Sequence, residues 1–104
     1  MKIKVALLCL VGLLAFSAAA EAAGFLPFGT ARKFTKQWTE EACEATGPRC
    51  VSWKVGHCAR IAADRIDCVA DLRLQDGYCV YILENRLKSN NFVHQRRRHT
   101  KCGG

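Results

Sequence analysis

No acidic side chain follows Glu84, no two cysteines stand in C-x-x-C spacing, and no apolar run is long enough to span a bilayer. Each absence excludes something. Residues 86–104 hold six Lys or Arg and no acid, so their charge is uncompensated within the segment. Without a C-x-x-C pair, a thiolate zinc site or a dithiol redox centre has no footing. The apolar stretch Val5 to Phe16 falls short of the roughly 20 residues a spanning helix needs. Catalytic motifs are missing as well. Ser52 and Ser89 sit in no nucleophile motif. His57 and Cys58 are neighbours on a predicted strand and point to opposite faces, which denies a Cys–His pair its geometry. Glu40, Glu41 and Glu44 fit the solvated face of a helix. No enzyme, no metal and no cofactor is expected.

What is present begins with export. Lys2 and Lys4 make a positive start, Val5 to Phe16 an apolar centre broken only by Gly12, and Ser17 to Ala23 a largely small-residue end. This is the three-part pattern of a secretory signal, with small-x-small cleavage positions after Ala20 and Ala22. Cys9 goes with the signal, because Leu7 and Leu8 are not the small residues that precede a lipid-anchored cysteine. The expected organisation is a signal peptide over 1–22, an apolar lead-in over 23–30 and a single domain over 31–104. The destination is the extracellular space, or the periplasm of a bacterium.

A mature chain of about 82 to 84 residues buries a modest core and needs covalent staples. Six cysteines remain in it: Cys43, Cys50, Cys58, Cys68, Cys79 and Cys102. An even set in a short exported chain reads as a disulfide framework.

Ala31 to Thr46 is predicted helical, with Phe34, Trp38, Ala42 and Ala45 as its core stripe, Thr30 as N-cap and Gly47-Pro48 as the stop. From Val51 the apolar period changes to two. Val51, Trp53, Val55, His57, Ala59 and Ile61 share one side of a first strand. Ile66, Cys68, Ala70, Leu72 and Leu74 share one side of a second, and Cys79, Tyr81, Leu83 and Leu87 one side of a third. Phe92 to Cys102 is the fourth. Asp76-Gly77 signals a type I′ hairpin turn, and Asn90-Asn91 a second tight turn.

These turns set registers. A two-residue loop at Asp76-Gly77 puts Leu74 opposite Cys79, Leu72 opposite Tyr81 and Asp67 opposite Arg86. A two-residue loop at Asn90-Asn91 puts Glu84 opposite Arg97 and Cys79 opposite Cys102 on the inner face. A three-residue loop at Ala62 to Asp64 sets Cys58 opposite Cys68, provided that a bulge at Gly56 turns Cys58 to the apolar side. Cys43–Cys50 then clamps the helix end to the first strand. Pairing Cys50 with Cys58 instead would have to bridge roughly 26 Å along one strand, beyond a disulfide's reach.

The fold class is therefore α+β: one N-terminal helix packed on a four-stranded antiparallel meander, stabilised by disulfides. The order of elements resembles the cystatin-like arrangement. The inhibitory loop of that family, Gln-x-Val-x-Gly, has Trp53-Lys54-Val55-Gly56-His57 as its nearest counterpart here, which departs from it, and the family's Pro-Trp pair is missing. The likeness is one of arrangement.

The strongest chemical feature is the basic end. Arg96, Arg97, Arg98 and Lys101, with Arg86 and Lys88, form the candidate anion-binding set. On a straight strand Arg96 and Arg98 fall on the face due to be buried and Arg97 on the other. The partners that fit are phosphate- or sulfate-bearing surfaces: a membrane, a cell wall or a glycan. Phe25, Leu26 and Phe28 of the lead-in would add apolar bulk. Nucleic acid is disfavoured, because only Phe92 stands near the basic run as a stacking platform. An equal alternative is edge protection, since charged side chains on an edge strand discourage sheet-to-sheet association. His94, His99 and Cys102 are the nearest thing to a metal set, and a bonded Cys102 dissolves it. The function expected is that of a small secreted cationic protein binding anionic surfaces, antimicrobial, host-defence or toxin-like. The alternative is a secreted protease inhibitor or protein-binding module of cystatin-like shape, with a protein target. A monomer is expected.

Overall fold

Pro27 decides where the helix starts. In the computed structural model, which describes residues 24–104, its φ is −71° and its backbone extended. The proline has no N–H for a first turn to satisfy. Helix α1 therefore runs Phe28–Thr46, and the Ala31 N–H closes on the Pro27 carbonyl at 3.1 Å. Thr30 lies inside the first turn and does not cap it, contrary to expectation. The predicted signal peptide lies outside the described residues. The C-terminal stop is as expected. Gly47 takes φ 79°, its N–H meets the carbonyls of Cys43 and Glu44, and Pro48 ends the helix. A single 3₁₀ turn, Gly47–Arg49, leads into the sheet.

The buried stripe of α1 differs from the expected one. Ala31, Thr35 and Thr39 are fully buried, whereas Phe34, Trp38 and Ala42 are half-buried and Ala45 is exposed. Three small side chains at i, i+4 and i+8 let the helix lie close on the sheet, with Phe34 and Trp38 flanking the stripe on one side. The buried hydroxyls have partners. Thr39 Oγ1 donates to the Thr35 carbonyl at 2.6 Å, and Thr35 Oγ1 accepts from Asn85 Nδ2 at 2.9 Å.

Strands β1 (Cys50–Ala62), β2 (Arg65–Leu74), β3 (Gly77–Leu87) and β4 (Val93–Gly103) form an antiparallel sheet in chain order. The α+β meander holds as predicted, with α1 lying chiefly over β1 and β2. Ile66, Cys68, Ala70, Leu72, Cys79 and Leu83 supply the buried inner face. Leu26 joins them: it is fully buried and its N–H donates to the Ala63 carbonyl at 2.9 Å. Leu26 thus anchors the lead-in to the core and is not free to insert elsewhere, while Phe25 and Phe28 stay exposed.

All three expected disulfides are present: Cys43–Cys50, Cys58–Cys68 and Cys79–Cys102. Three such bonds fit an oxidising, extracellular compartment. The register of β1 slips between Val55 and Cys58, which places the bulge at Gly56-His57 as expected and turns Cys58 inward. The parity change carries Ile61 to the outside, 54% exposed, against its predicted place in the core face.

The β2–β3 register is two residues from the predicted one. Leu74 pairs with Gly77 and Leu72 with Cys79, so the loop is Gln75-Asp76, and Asp67 lies opposite Glu84 rather than Arg86. Gly77 is not in the positive-φ region that a type I′ turn requires. Contacts outside the hairpin decide the slip. The Gln75 N–H donates to the Arg49 carbonyl at 2.9 Å and Gln75 Nε2 to that of Pro48 at 3.2 Å. A Cβ on Gly77 would overlap the Gly103 carbonyl oxygen. The glycine serves a close approach of β4, and an even slip leaves every side chain on its predicted face.

Candidate anion-binding face

The β3–β4 loop is one residue longer than expected. Lys88 and Phe92 bond across it, the Asn91 N–H closes on the Lys88 carbonyl at 2.9 Å, and Asn91 takes φ 65°, a left-handed conformation that Asn tolerates. Leu87 then pairs with Val93 and Leu83 with Arg97. A bulge at Arg98 recovers the lost step, so Ile82 pairs with His99 and Cys79 with Cys102, as the disulfide requires. The cysteine pairing is the predicted one, but between loop and bulge every residue of β4 changes face.

Three expectations fall with that change. Arg97 lies on the helix side, with its guanidinium 5.8 Å from the centre of the Tyr81 ring, and does not pair with Glu84. Tyr81 in turn meets the edge of Trp38 on α1, with centroids 5.3 Å apart. Arg96 pairs with Glu84 across the strands on the outer face, where Arg98 Nη1 also approaches Glu84 Oε1 at 3.4 Å. His94 and His99 both face outward, opposite Arg86 and Ile82, while Cys102 faces inward in its disulfide. Among the described residues no three His, Cys, Asp or Glu side chains gather as a metal site. Cys58 is bonded to Cys68 and offers no free thiol beside His57.

Glu84, which the sequence pattern marks only as a strand partner, is the hub of the outer face. It is 7% exposed. Arg86 Nε donates to its Oε2 at 3.1 Å, and its Oε1 accepts no hydrogen bond among the described residues, lying 3.8 Å from Arg65 Nε besides Arg98. Burial disfavours the carboxylate. The Arg86 hydrogen bond and the charges of Arg65, Arg86 and Arg96 together outweigh burial and hold the group below the usual carboxylate range. Arg65 is bound at both ends of its fork to Asp67, at 2.9 and 2.8 Å. That bond, ahead of the opposing burial, raises its pKa further. Arg86 also reaches Asp64 at 3.5 Å. Of the six candidate cations, then, Arg86 and Arg98 are tied to acids. Arg96, Arg97, Lys88 and Lys101 are exposed and form no ion pair among the described residues.

The tertiary structure adds cations that the linear pattern did not. The row Val55–Ala70–Tyr81–Thr100, with Trp38 above Tyr81, divides the molecule across its strands. The half nearer the lead-in holds Arg32, Lys33 and Lys36 of α1, Arg60 and Arg65 of β1 and β2, Arg86 and Lys88 of β3 and its loop, and Arg96 to Arg98 of β4. Those ten cations face three acids, Asp64, Asp67 and Glu84, a balance of +7. The far half holds four cations (Arg49, Lys54, Arg73, Lys101) and five acids (Glu40, Glu41, Glu44, Asp71, Asp76), a balance of −1. An open hollow of about 700 Å³ on the far half sets Lys54 and Arg73 beside Asp71, so only one positive charge is left uncompensated among its lining side chains. Helix α1 contributes against its own dipole: its first turn holds no acid and its last turn no base.

No family model, no curated protein and no solved structure matches this chain, so the cystatin-like likeness rests on the order of elements alone.

Proposed function

We propose that this is a small secreted cationic protein that binds anionic surfaces, with a role in defence or antagonism against microbes. The observation that carries the reading is the division of charge into halves of +7 and −1. A field of one sign over half a molecule steers it toward the opposite sign and orients it on arrival. Within the +7 half the exposed cations Arg96, Arg97 and Lys88 supply unpaired contacts, and Arg98 and Arg86 lend charge through the Glu84 cluster, while Lys101 lies beyond the dividing row. Export is supported by the disulfides and by the Lys2-to-Ala23 signal pattern.

The test changes Arg96, Arg97 and Arg98 together to Gln. Each basic group near an anionic surface contributes about 1 kcal/mol at low salt. Arg98 already shares Glu84, so affinity should fall by roughly 10- to 100-fold. The difference should shrink as salt rises, because exposed charges are screened over about 8 Å at physiological ionic strength. Unchanged binding with more aggregation on standing would point to edge protection instead. Salt-tolerant, saturable binding to one protein would favour the inhibitor or protein-binding alternative.

A further inference from the structure

Among the described residues six large apolar side chains stand exposed, and four of them lie at the tip of the basic half: Phe25 at 42%, Phe28 at 44%, Ile61 at 54% and Phe92 at 65%. They come from three segments that the fold ties together. The lead-in bonds to the β1–β2 tip through Leu26 and Ala63, and the start of the β3–β4 loop bonds to the same tip through the Leu87 N–H and the Asp64 carbonyl, at 2.8 Å. Leu26, Leu87 and Val93 pack in one cluster beneath. Arg60 fixes the arrangement. Its guanidinium lies 4.4 Å from the centre of the Phe25 ring and 5.1 Å from that of Phe28. It also donates to the carbonyls of Leu26, Ala62 and Ala63. Phe25 and Phe28 are thus tied to the β1–β2 tip while remaining exposed. The two remaining exposed apolar residues, Val51 and Tyr78, belong to the far, weakly acidic half.

We propose that this tip docks end-on to a phospholipid bilayer with anionic headgroups, Phe25, Phe28, Ile61 and Phe92 entering the headgroup–acyl boundary while the surrounding cations meet the phosphates. The inference rests on the anionic-surface reading above and names its target. Charge complementarity selects the occupant: apolar side chains within a +7 half suit a surface that is apolar below and negative above. A merely polyanionic partner such as a glycan would use the cations and leave the aromatics idle.

Two native tryptophans make the orientation measurable. Trp53 pairs with Leu72 on the far side of the dividing row, and Trp38 lies at that row. The oxidised protein and a Phe92→Trp variant are mixed with phosphatidylcholine vesicles, with and without phosphatidylglycerol, carrying brominated acyl chains. Bromine should quench the introduced tryptophan in the anionic vesicles and leave Trp38 and Trp53 unquenched. An Ile61→Ser, Phe92→Ser double variant, altered only at exposed positions, should lose about tenfold or more in vesicle partitioning, while its binding to soluble heparin stays the same. Suppose that wild type binds heparin and vesicles, yet the double variant partitions normally and the introduced tryptophan is unquenched. Contact is then electrostatic alone, and the tip proposal fails while the anionic-surface reading stands. Quenching of Trp53 as well would mean that the sheet lies flat, which also overturns the tip. Failure to bind either heparin or vesicles at low salt would remove both readings.

Discussion

Asn85 of β3, fully buried, donates from Nδ2 to Thr35 Oγ1 of α1 at 2.9 Å and accepts from Gln95 Nε2 of β4 at the same distance. One amide therefore links the helix, a central strand and the edge strand, with a further bond to the Ile66 carbonyl at 3.2 Å. A buried polar group of this kind stabilises only while its partners are present. Thr35→Val keeps the shape and removes the acceptor; it should cost about 1–2 kcal/mol in urea unfolding. Asn85→Leu should cost more. The double variant should cost less than the two singles added, because they break one bond between them. Strict additivity would mean that the bond contributes nothing.

Glu84 should make the fold acid-sensitive. Its folded-state pKa lies below the 4.5 of an ordinary glutamate, so the folded state binds its proton less readily than the unfolded state. The stability it contributes is therefore complete above about pH 4.5 and disappears as pH falls through the lower, folded value. Glu84→Gln should be less stable than wild type at pH 7, by about 2 kcal/mol from lost charged hydrogen bonds. The gap should close in acid. A gap that stays constant from about pH 7 to about pH 3 would refute the cluster's role.

The staples should differ in worth by loop length. Cys79–Cys102 closes a separation of 23 residues and Cys43–Cys50 one of 7. The chain-entropy model assigns them about 3 and about 2 kcal/mol. Replacing each pair by serines and comparing unfolding midpoints checks the order. Recovery of Cys102 linked to Cys43 or Cys50 by non-reduced peptide mapping would contradict the meander itself.

Gly77→Ala should loosen the end of β4, because the new methyl group would overlap the Gly103 oxygen and stand 2.9 Å from Gly104 Cα. A loss of about 1–2 kcal/mol is expected, with faster amide exchange at Lys101 to Gly103 and little change near Ile66. Protection as in wild type at those amides would show that no close approach exists there.

Much of the fold is legible in the chain because its signals are local. The period of two from Val51 onward, the stop at Gly47-Pro48 and the six cysteines each constrain a neighbourhood, and together they specify a helix on a meander and all three disulfides. Parity carries the β2–β3 faces through a register error of two, since an even slip leaves each side chain where it was. The odd slip in β4 is not legible. Asn90-Asn91 reads equally well as part of a two- or a three-residue loop. The three-residue loop turns Arg97 toward Tyr81 and Arg96 toward Glu84, and the bulge at Arg98 then reconciles that loop with the Cys79–Cys102 bond. The helix stripe is misread for a related reason: large apolar residues look like core, but close approach to a sheet favours Ala31, Thr35 and Thr39.

Staple count, apolar period and the acid-free last segment are properties of the chain alone, and they suffice to set the class of molecule. How the charge is arranged in space is a property of the fold. Residues 32–36 and 96–98 are far apart along the chain, and α1 runs its basic end to the same end of the sheet where the β4 arginines lie. Charge adds by distance in space rather than by distance in sequence, so the basic tail became a basic half only once the helix had been laid on the sheet.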